Sequence, residues 1–417
     1  MLDFRPPIDS PALLSCVKLG LPLYMKFNLH DTRVEPVEGA TERFKALRGK
    51  RGMICPNHSN RHDPQVMFAF SRIVKEDFNY IAAREVFDWD NGRNGWWIQR
   101  MGAYSVVRGA ADRESFKMTR KILAEGKKKL VLFPEGEISR QNDTLMALES
   151  GAAQLCFWAV EELNKGNANG NIEPIFLLPM ALKYTFTKDV RPALRRKVSV
   201  IEERLGLKPS ENTPIRERIR VIGQSLLATL EHEYNYNNKD GQIPSERIMR
   251  LRQHILKSAA EQLHIKLPEN NRELESVRII RNTLDDFIYS DEIPKSEYQR
   301  KIHDEKAAVI RGFYRDLERV VNFIAIYDTY LDEQNTQERF ADILDRLETE
   351  VIGGEPSFTG PRRVLLDVGQ AINMSDRYAD YKKDKRAILA KTMEEVSGQL
   401  TSMLKQLEQM RTPILVT

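Results

Sequence analysis

Between residues 52 and 63 the chain reads GMICPNHSNRHD, an apolar run that breaks into a polar loop carrying two histidines and an aspartate. A short buried strand that ends near Cys55 would present His58 and Asp63 at the edge of a sheet. A carboxylate beside a histidine fixes the tautomer and raises the basicity of the ring near neutral pH. The spacing also arises by chance, and the simplest alternative is a loop histidine before a helix that begins at Asp63-Pro64.

Two further apolar runs end in polar groups. Residues 129–139 read KLVLFPEGEIS, a buried strand that breaks into a Pro/Gly loop with carboxylates, and residues 102–109 read GAYSVVRG, a strand that ends on an arginine. The three strand ends therefore offer a base, a carboxylate loop and a cation. Open α/β sheets build their sites from groups gathered in this way at strand ends.

These blocks, with the apolar strand Ile175–Ala181, resemble the four ordered motifs of the glycerolipid acyltransferase family, the lysophosphatidate acyltransferase type. Asn57, His58 and Asp63 match its Asn-His-x4-Asp motif. The second and third motifs resemble Gly102 to Arg108 and the Phe-Pro-Glu-Gly at 133–136. Four blocks in order, over roughly residues 30 to 187, are far more specific than any one of them.

The third block departs from the family pattern, which continues Thr-Arg-Ser after Phe-Pro-Glu-Gly. Here the chain continues with residues 137–140, which read EISR. The missing arginine is the one that, in the family, is thought to help hold the phosphate of the acceptor. Either Arg140 or Arg108 compensates for it, or the acceptor is not a glycerol phosphate.

The resemblance implies a role for each matched residue. His58 would be the general base that takes a proton from an acceptor hydroxyl as it attacks an acyl thioester, either acyl-CoA or an acyl-carrier protein derivative, and Asp63 would orient it. No metal or other cofactor is expected. The expected substrate-binding residues are Asn57, which braces the loop, Arg108, which binds phosphate, Glu135 and Gly136, which shape the site, and Ser139 and Arg140.

Two other functions fit parts of the sequence. His58, His62 and Asp63 would be metal ligands of a hydrolase if one helix carried both histidines, but the chain has no downstream His/Cys cluster to complete such a site. An inactive lipid-binding or scaffold protein on the same fold would explain the altered third block. The presence of both His58 and Asp63 argues against a dead site.

Composition narrows the setting of the protein. The 417 residues hold 64 Lys plus Arg against 60 Asp plus Glu, a net charge of +4 that is too small to indicate a nucleic-acid partner. The three cysteines, without paired spacing, favour a reducing compartment. We expect a cytoplasmic protein that contacts the membrane surface peripherally, with an acyl-carrier protein as a further candidate partner.

Two apolar features bear on the membrane. The stretch Pro11–Phe27 is interrupted by two lysines, a glycine and a proline, and each uncharged run is far shorter than the ~20 residues of a spanning helix. It is either a helix docked on the core or an interfacial helix. Trp96 and Trp97 favour a membrane interface by residue type, but we expect them to pack in the core.

The periodicity predicts an α/β fold, a mixed sheet of the glycerolipid acyltransferase type flanked by helices, with a large all-α helical-bundle insertion. Amphipathic helices are predicted to begin near residues 213, 245, 274, 305 and 337, before a closing strand near 363–369 and a helix at 385–407. The predicted parts are 1–30, an N-terminal interfacial or docking helix; 31–189 plus 359–417, the α/β domain; and 190–358, the inserted bundle. A tandem C-terminal domain is the competing arrangement, because only an insertion requires the closing strand to pair with the first sheet.

Overall fold

The computed structural model describes residues 3–107, 112–166, 173–208, 212–237, 243–268, 273–288, 297–324 and 335–416. The chain forms two compact units. An α/β unit comprises Phe4–Lys188 and Pro361–Thr412, and a helical unit comprises Asp189–Gly360 with the residues at the two termini.

The α/β unit contains a sheet with the strand order β1-β7-β6-β2-β5-β3-β4, in which β8 also pairs with β6. From β6 to β4 the strands run parallel, whereas β7 and β8 run antiparallel to β6, and β1 is parallel to β7. The predicted mixed α/β fold is confirmed. The strands are β1 Asp31–Pro36, β2 Arg51–Pro56, β3 Phe78–Ala83, β4 Ala103–Val106, β5 Lys129–Val131, β6 Ile175–Phe186, β7 Arg362–Val368 and β8 Ile372–Asn373.

Helices cover both faces of this sheet because side chains alternate along each strand. Ile54 of β2 points into one core, and its neighbours Met53 and Cys55 point into the other. The first core lies under α1 to α4, and the second lies under α5, α6, α13 and α14. Numbered along the whole chain, these helices are α1 Pro11–Tyr24, α2 Ala40–Lys45, α3 Asp63–Val74, α4 Arg93–Arg100, α5 Arg113–Glu125, α6 Gly151–Gly166, α13 Tyr378–Lys383 and α14 Lys385–Gln409.

The helical unit contains α7 to α12 within the described residues. Four of the five predicted helices start within two residues of the predicted positions, whereas the helix predicted near residue 305 starts at Glu297, and α7 was not predicted. Residues 325–331 of that predicted helix lie outside the described residues. Buried ion pairs join these helices, as between Arg218 and Glu202 at 2.6 Å and between Lys197 and Glu348 at 2.8 Å. The helices are α7 Arg191–Arg204, α8 Ile215–Glu233, α9 Pro244–Gln262, α10 Glu273–Ile288, α11 Glu297–Ile324 and α12 Gln337–Val351.

The closing strand β7 pairs with β6 along its whole length, from Met180 opposite Val368 to Phe186 opposite Arg362. It also pairs with β1, where Asp31 lies opposite Arg362. The chain thus leaves the α/β unit after Lys188 and re-enters it at Pro361. On this pairing we propose that the helical unit is an insertion into the α/β domain, with boundaries close to those predicted.

The N-terminal segment packs as part of the α/β unit. Leu14 and Leu21 of α1, and Met25 of the π-helical turn Met25–Leu29, are buried in the core under α1 to α4. Among the described residues, no helix has both the length and the apolar character that crossing a bilayer requires.

A substitution at Gly95 tests how closely α4 packs on the segment that precedes it. A methyl group there would collide with the carbonyl oxygen of Phe87, so Gly95→Ala should lower the free energy of unfolding by about 1–3 kcal/mol. Gly398→Ala in α14 is the control, because no described atom lies within 4 Å of the new methyl group. It should stabilise by up to ~1 kcal/mol. Urea unfolding of both variants checks this, and equal effects would contradict the packing.

Candidate active site

The topology gathers five chain segments at one edge of the sheet, which we call the site edge. The parallel strands β2, β5 and β6 end there, and β7 and β1 begin there because they run the opposite way. Strand β6 continues six residues beyond Met180, the partner of the last residue of β2. The site edge therefore brings together the loop 57–62, the loop 132–150, the end of β6 and the first residues of β1 and β7.

His58 and Asp63 form a hydrogen-bonded pair at this edge. Their Nδ1 and Oδ2 atoms are 2.9 Å apart, and Asp63 is fully buried while the His58 side chain is 15% exposed. Because a carboxylate only accepts, Nδ1 carries the proton and Nε2 is the acceptor nitrogen of the ring. The other oxygen of Asp63 accepts a hydrogen bond from the Tyr184 hydroxyl at 2.6 Å, and the Asn60 amide donates to Oδ2 at 2.9 Å.

Asp63 is also the first residue of α3 and is followed by Pro64. A helix N-terminus interacts favourably with a negative charge, so the first turn of α3 suits the carboxylate of Asp63. The helix begins here, as the Asp-Pro pair predicted, so His58 lies in the loop and only Asp63 lies on the helix.

The loop that follows β5 holds His58 from three sides. The ring of His58 stacks on Phe133, with centroids 4.2 Å apart and an interplanar angle of 22°. Its backbone amide donates to Glu135 Oε1 at 2.6 Å, and its carbonyl accepts from the Ser139 amide at 2.8 Å. The imidazole has little freedom to leave its place beside Asp63.

Both carboxyl oxygens of Glu135 accept hydrogen bonds from backbone amides of the protein. Glu135 is fully buried, and its second oxygen accepts a hydrogen bond from the Met146 amide at 2.9 Å. Burial raises the pKa of this carboxyl to about 6, although both amide hydrogen bonds oppose the rise. Gly136 follows at a φ of 72°, a conformation that favours glycine, and its amide closes a turn to the Phe133 carbonyl at 3.2 Å.

Asn57 extends the pairing of β2 with β6. Its side-chain amide donates to the Leu182 carbonyl at 3.0 Å and accepts from the Leu182 amide at 2.7 Å. Asn142, which the sequence did not single out, makes the same two bonds to the backbone of Tyr184. Beyond the end of β2, the side chains of these two asparagines thus provide the hydrogen bonds that a neighbouring strand would make to β6. They also hold the backbone of Tyr184 in position.

Three predicted site residues remain, namely Ser139, Arg140 and Arg108. Ser139 is buried, and its hydroxyl lies 3.3 Å from both the amide and the carbonyl of Gln141. Arg140 is half-buried, with a left-handed φ of 52°. Arg108 lies outside the described residues, since the described part of this region ends at Val107 and resumes at Asp112.

A second histidine–aspartate pair lies beside the first. His62 Nδ1 is 2.8 Å from Asp31 Oδ2, and Arg362 Nε donates to the other oxygen of Asp31 at 2.9 Å. From the sequence, His62 was considered only as a metal ligand, and neither Asp31 nor Arg362 was predicted to belong to the site. Each histidine turns Nδ1 towards a different carboxylate, and the described residues contain no group of three or more His, Cys, Asp or Glu arranged to hold a metal ion.

Apolar side chains are exposed on the helices that cover the first core. Leu19, Leu23 and Phe27 recur every four residues and are 79%, 64% and 64% exposed, forming what we call the α1 stripe. The expectation that Trp96 and Trp97 pack in the core is wrong, because nearly half of each residue is exposed. The two indole rings pack against each other edge to face. Phe27, the last residue of the stripe, lies in the π-helical turn that follows α1, four residues before Asp31 in the chain.

Comparison with known families gives one result for this region. A family model described as Acyltransferase matches residues 36–183. The match contains the His58–Asp63 pair and the loop after β5, and it excludes Asp31, Tyr184 and Arg362. Comparison of the chain with curated proteins gives no match.

Glu135 predicts a pH dependence of stability. A carboxyl whose pKa is higher in the folded state binds its proton more tightly there, so its contribution is complete below pH 4.5 and is lost as the pH rises past about 6. The unfolding free energy of the wild type relative to Glu135→Gln should therefore fall by about 2 kcal/mol over this range. Urea titrations at several pH values measure it. Glu394→Gln, the same change at an exposed position, should show no such slope; a flat or rising difference for Glu135→Gln would contradict the assignment.

Proposed function

On the premise that residues 36–183 are an acyltransferase domain of the glycerolipid acyltransferase family, we propose that the protein is an O-acyltransferase. It moves a fatty acyl group from an acyl thioester to a hydroxyl of a lysophospholipid or glycerol-phosphate-type acceptor. This reaction is a step of phospholipid biosynthesis. The observation that carries the proposal is the 2.9 Å contact between His58 Nδ1 and the buried carboxylate of Asp63. That contact leaves Nε2 as the basic nitrogen at the partly exposed site edge.

The proposed reaction needs only one proton carrier. His58 Nε2 takes the proton of the acceptor hydroxyl as its oxygen attacks the thioester carbonyl. Asp63 stabilises the imidazolium that forms. The tetrahedral intermediate then expels the thiolate, which takes the proton from the imidazolium and leaves as free thiol. The acceptor oxygen is itself the nucleophile, so the proposal includes no acyl-enzyme, metal or other cofactor.

The neighbouring residues would serve this step by holding its geometry. Glu135, Gly136 and Ser139 fix the backbone around His58, and Asn57 ties the start of its loop to β6. Recognition of an acceptor phosphate falls to an arginine, Arg140 or Arg108, since a guanidinium matches phosphate in a bidentate way. The donor would be acyl-CoA or an acyl-carrier protein thioester.

The first test follows thiol release from a long-chain acyl-CoA, with lysophosphatidate as the acceptor. The wild type should release thiol only when the acceptor is present, and His58→Ala should lower the rate about 10²- to 10⁴-fold because the general base is lost. His232→Ala, at an exposed histidine of α8, is the matched control and should retain the wild-type rate.

No release from the wild type, with acyl-carrier protein also tried as the donor and other hydroxyl acceptors screened, would overturn the proposal. Lysophosphatidate that binds without turnover would favour the lipid-binding alternative. Release that His58→Ala leaves unchanged would remove His58 from the mechanism.

We further propose that the α1 stripe lies on the membrane surface, so that the protein is peripherally associated on the cytoplasmic side. Three apolar side chains exposed along one helix face form an interfacial surface, and the exposed Trp96 and Trp97 add side chains suited to the headgroup region. Phe27 of the stripe is four residues before Asp31, a stretch of chain that spans at most ~14 Å. This short separation would let a lipid acceptor reach the site edge from the bilayer.

Replacing Leu19 and Leu23 by glutamate should abolish binding to vesicles of phosphatidylcholine and phosphatidylglycerol, because two charges would have to enter the interface. Sedimentation with vesicles measures this. Val221→Glu, at a half-exposed valine of α8, should bind as the wild type does. Activity towards a water-soluble short-chain acceptor should persist in both variants. Unchanged vesicle binding in the double variant would show that α1 is only docked on the core.

A further inference from the structure

We propose that Arg362 and Tyr184 are positioning residues for the His58–Asp63 pair, acting from the end of β6 and the start of β7 on the two buried carboxylates Asp63 and Asp31. The inference rests on the proposed function, since it assigns these residues to the same reaction. Neither residue belongs to a motif block that identified the site, and both lie outside the segment that matches the family model.

The first route to Asp63 is direct. The Tyr184 hydroxyl donates to Asp63 Oδ1 at 2.6 Å, on the oxygen that His58 does not use. Tyr184 is buried, and burial raises the pKa of its hydroxyl well above the usual range, so the group is a permanent donor. With both oxygens engaged, the carboxylate cannot rotate, and Oδ2 stays directed at His58 Nδ1.

The second route runs through Asp31 and His62. Arg362 Nε donates to Asp31 Oδ1 at 2.9 Å, and Asp31 Oδ2 faces His62 Nδ1 at 2.8 Å. A terminal nitrogen of Arg362 also lies 3.2 Å from His62 Nδ1. That ring nitrogen cannot donate to the carboxylate and accept from the guanidinium together, and the shorter contact with a buried anion favours the donor form. His62 is thereby fixed directly before Asp63.

Arg362 joins the two routes. Its guanidinium carbon lies 4.7 Å from the centroid of the Tyr184 ring, close enough for a cation–π contact. One cation thus touches the phenol that holds Asp63 and the carboxylate that holds His62. Asp31 and Asp63 are both fully buried, and an ion pair that loses one partner leaves a buried charge uncompensated.

The neighbouring Arg363 offers a natural comparison. It is also partly buried and also pairs with a carboxylate, Glu35, at 3.0 Å. Its Nε donates to the Thr185 hydroxyl at 3.3 Å, and among the described residues it makes no hydrogen bond or ion pair with Asp31, His62 or Tyr184. Successive residues of a strand point to opposite faces, so the two arginines share a strand but not a site.

The test compares Arg362→Gln with Arg363→Gln in the thiol-release assay. Arg362→Gln should lower kcat about 10- to 100-fold with KM changed less than about threefold, because misplacement of the base slows the chemical step more than it weakens binding. Arg363→Gln should leave both constants near their wild-type values.

The pH profile separates positioning from mere folding. The groups around His58 are Asp63 and Glu135, and behind Asp63 lie Tyr184, Asp31, His62 and Arg362. Loss of the Arg362 cation favours the imidazolium, so the acid limb of kcat/KM should move to higher pH by about 0.5–1 unit. Arg362→Lys keeps the charge and should keep the limb in place.

Tyr184→Phe tests the direct route. It should lower kcat and move the acid limb in the same direction, because Asp63 would direct its charge more strongly to His58. Tyr80→Phe is the matched control, since Tyr80 is also buried but its hydroxyl has no hydrogen-bond partner among the described residues.

NMR titration of the His58 and His62 ring protons gives a readout that needs no turnover. A wild type without acyl transfer, whose histidine pKa values nevertheless rise in Arg362→Gln and not in Arg363→Gln, would overturn the proposed function and support the positioning network. An active wild type in which the two variants behave alike would overturn the network alone. A change confined to KM would also overturn it, because Arg362 would then be a substrate-binding residue.

Discussion

The site depends on one constraint, that a fully buried carboxylate must have all of its hydrogen bonds made within the protein. Stripping a carboxylate of water costs several kcal/mol unless partners replace the water. Asp63 receives the Asn60 amide, the Tyr184 hydroxyl and the Nδ1 proton of His58, and it sits at the start of α3. The orientation of His58 therefore follows from the satisfaction of Asp63, because moving the ring away would leave the charge short of a donor.

The same constraint explains the loop after β5. Glu135 is another buried carboxyl, and its two oxygens accept hydrogen bonds from the backbone amides of His58 and Met146. It is thus a link between loops at the site edge, and its raised pKa is the cost of its burial. A glutamate in a Pro-Glu-Gly turn would suggest contact with substrate, whereas here it contacts the backbone that carries the base.

The reversal of strand direction at β7 completes the site. An all-parallel sheet would place the first residues of β1 and β7 at the far edge, away from His58. Because both run antiparallel to β6, Asp31 and Arg362 arrive at the site edge from positions distant in the chain. Arg362 is the second residue after the helical unit ends. The first residues of the chain after that unit therefore include one that we propose to position the catalytic pair.

The amino-acid sequence by itself determined the local parts of this protein. Continuous apolar runs that end in polar breaks predicted β2, β5 and β6, the Asp-Pro pair predicted where α3 begins, and the spacing of His58 and Asp63 lets one loop carry both. It missed α7 and the short strand β1, and it misjudged the exposure of Trp96 and Trp97. Only the tertiary structure decided that Tyr184 binds Asp63, and that Asp31 and Arg362 bind on the side of the neighbouring His62. The reason is physical: hydrogen bonds between residues 121, 31 and 331 positions apart depend on strand order and direction, which long-range packing selects and no local pattern records.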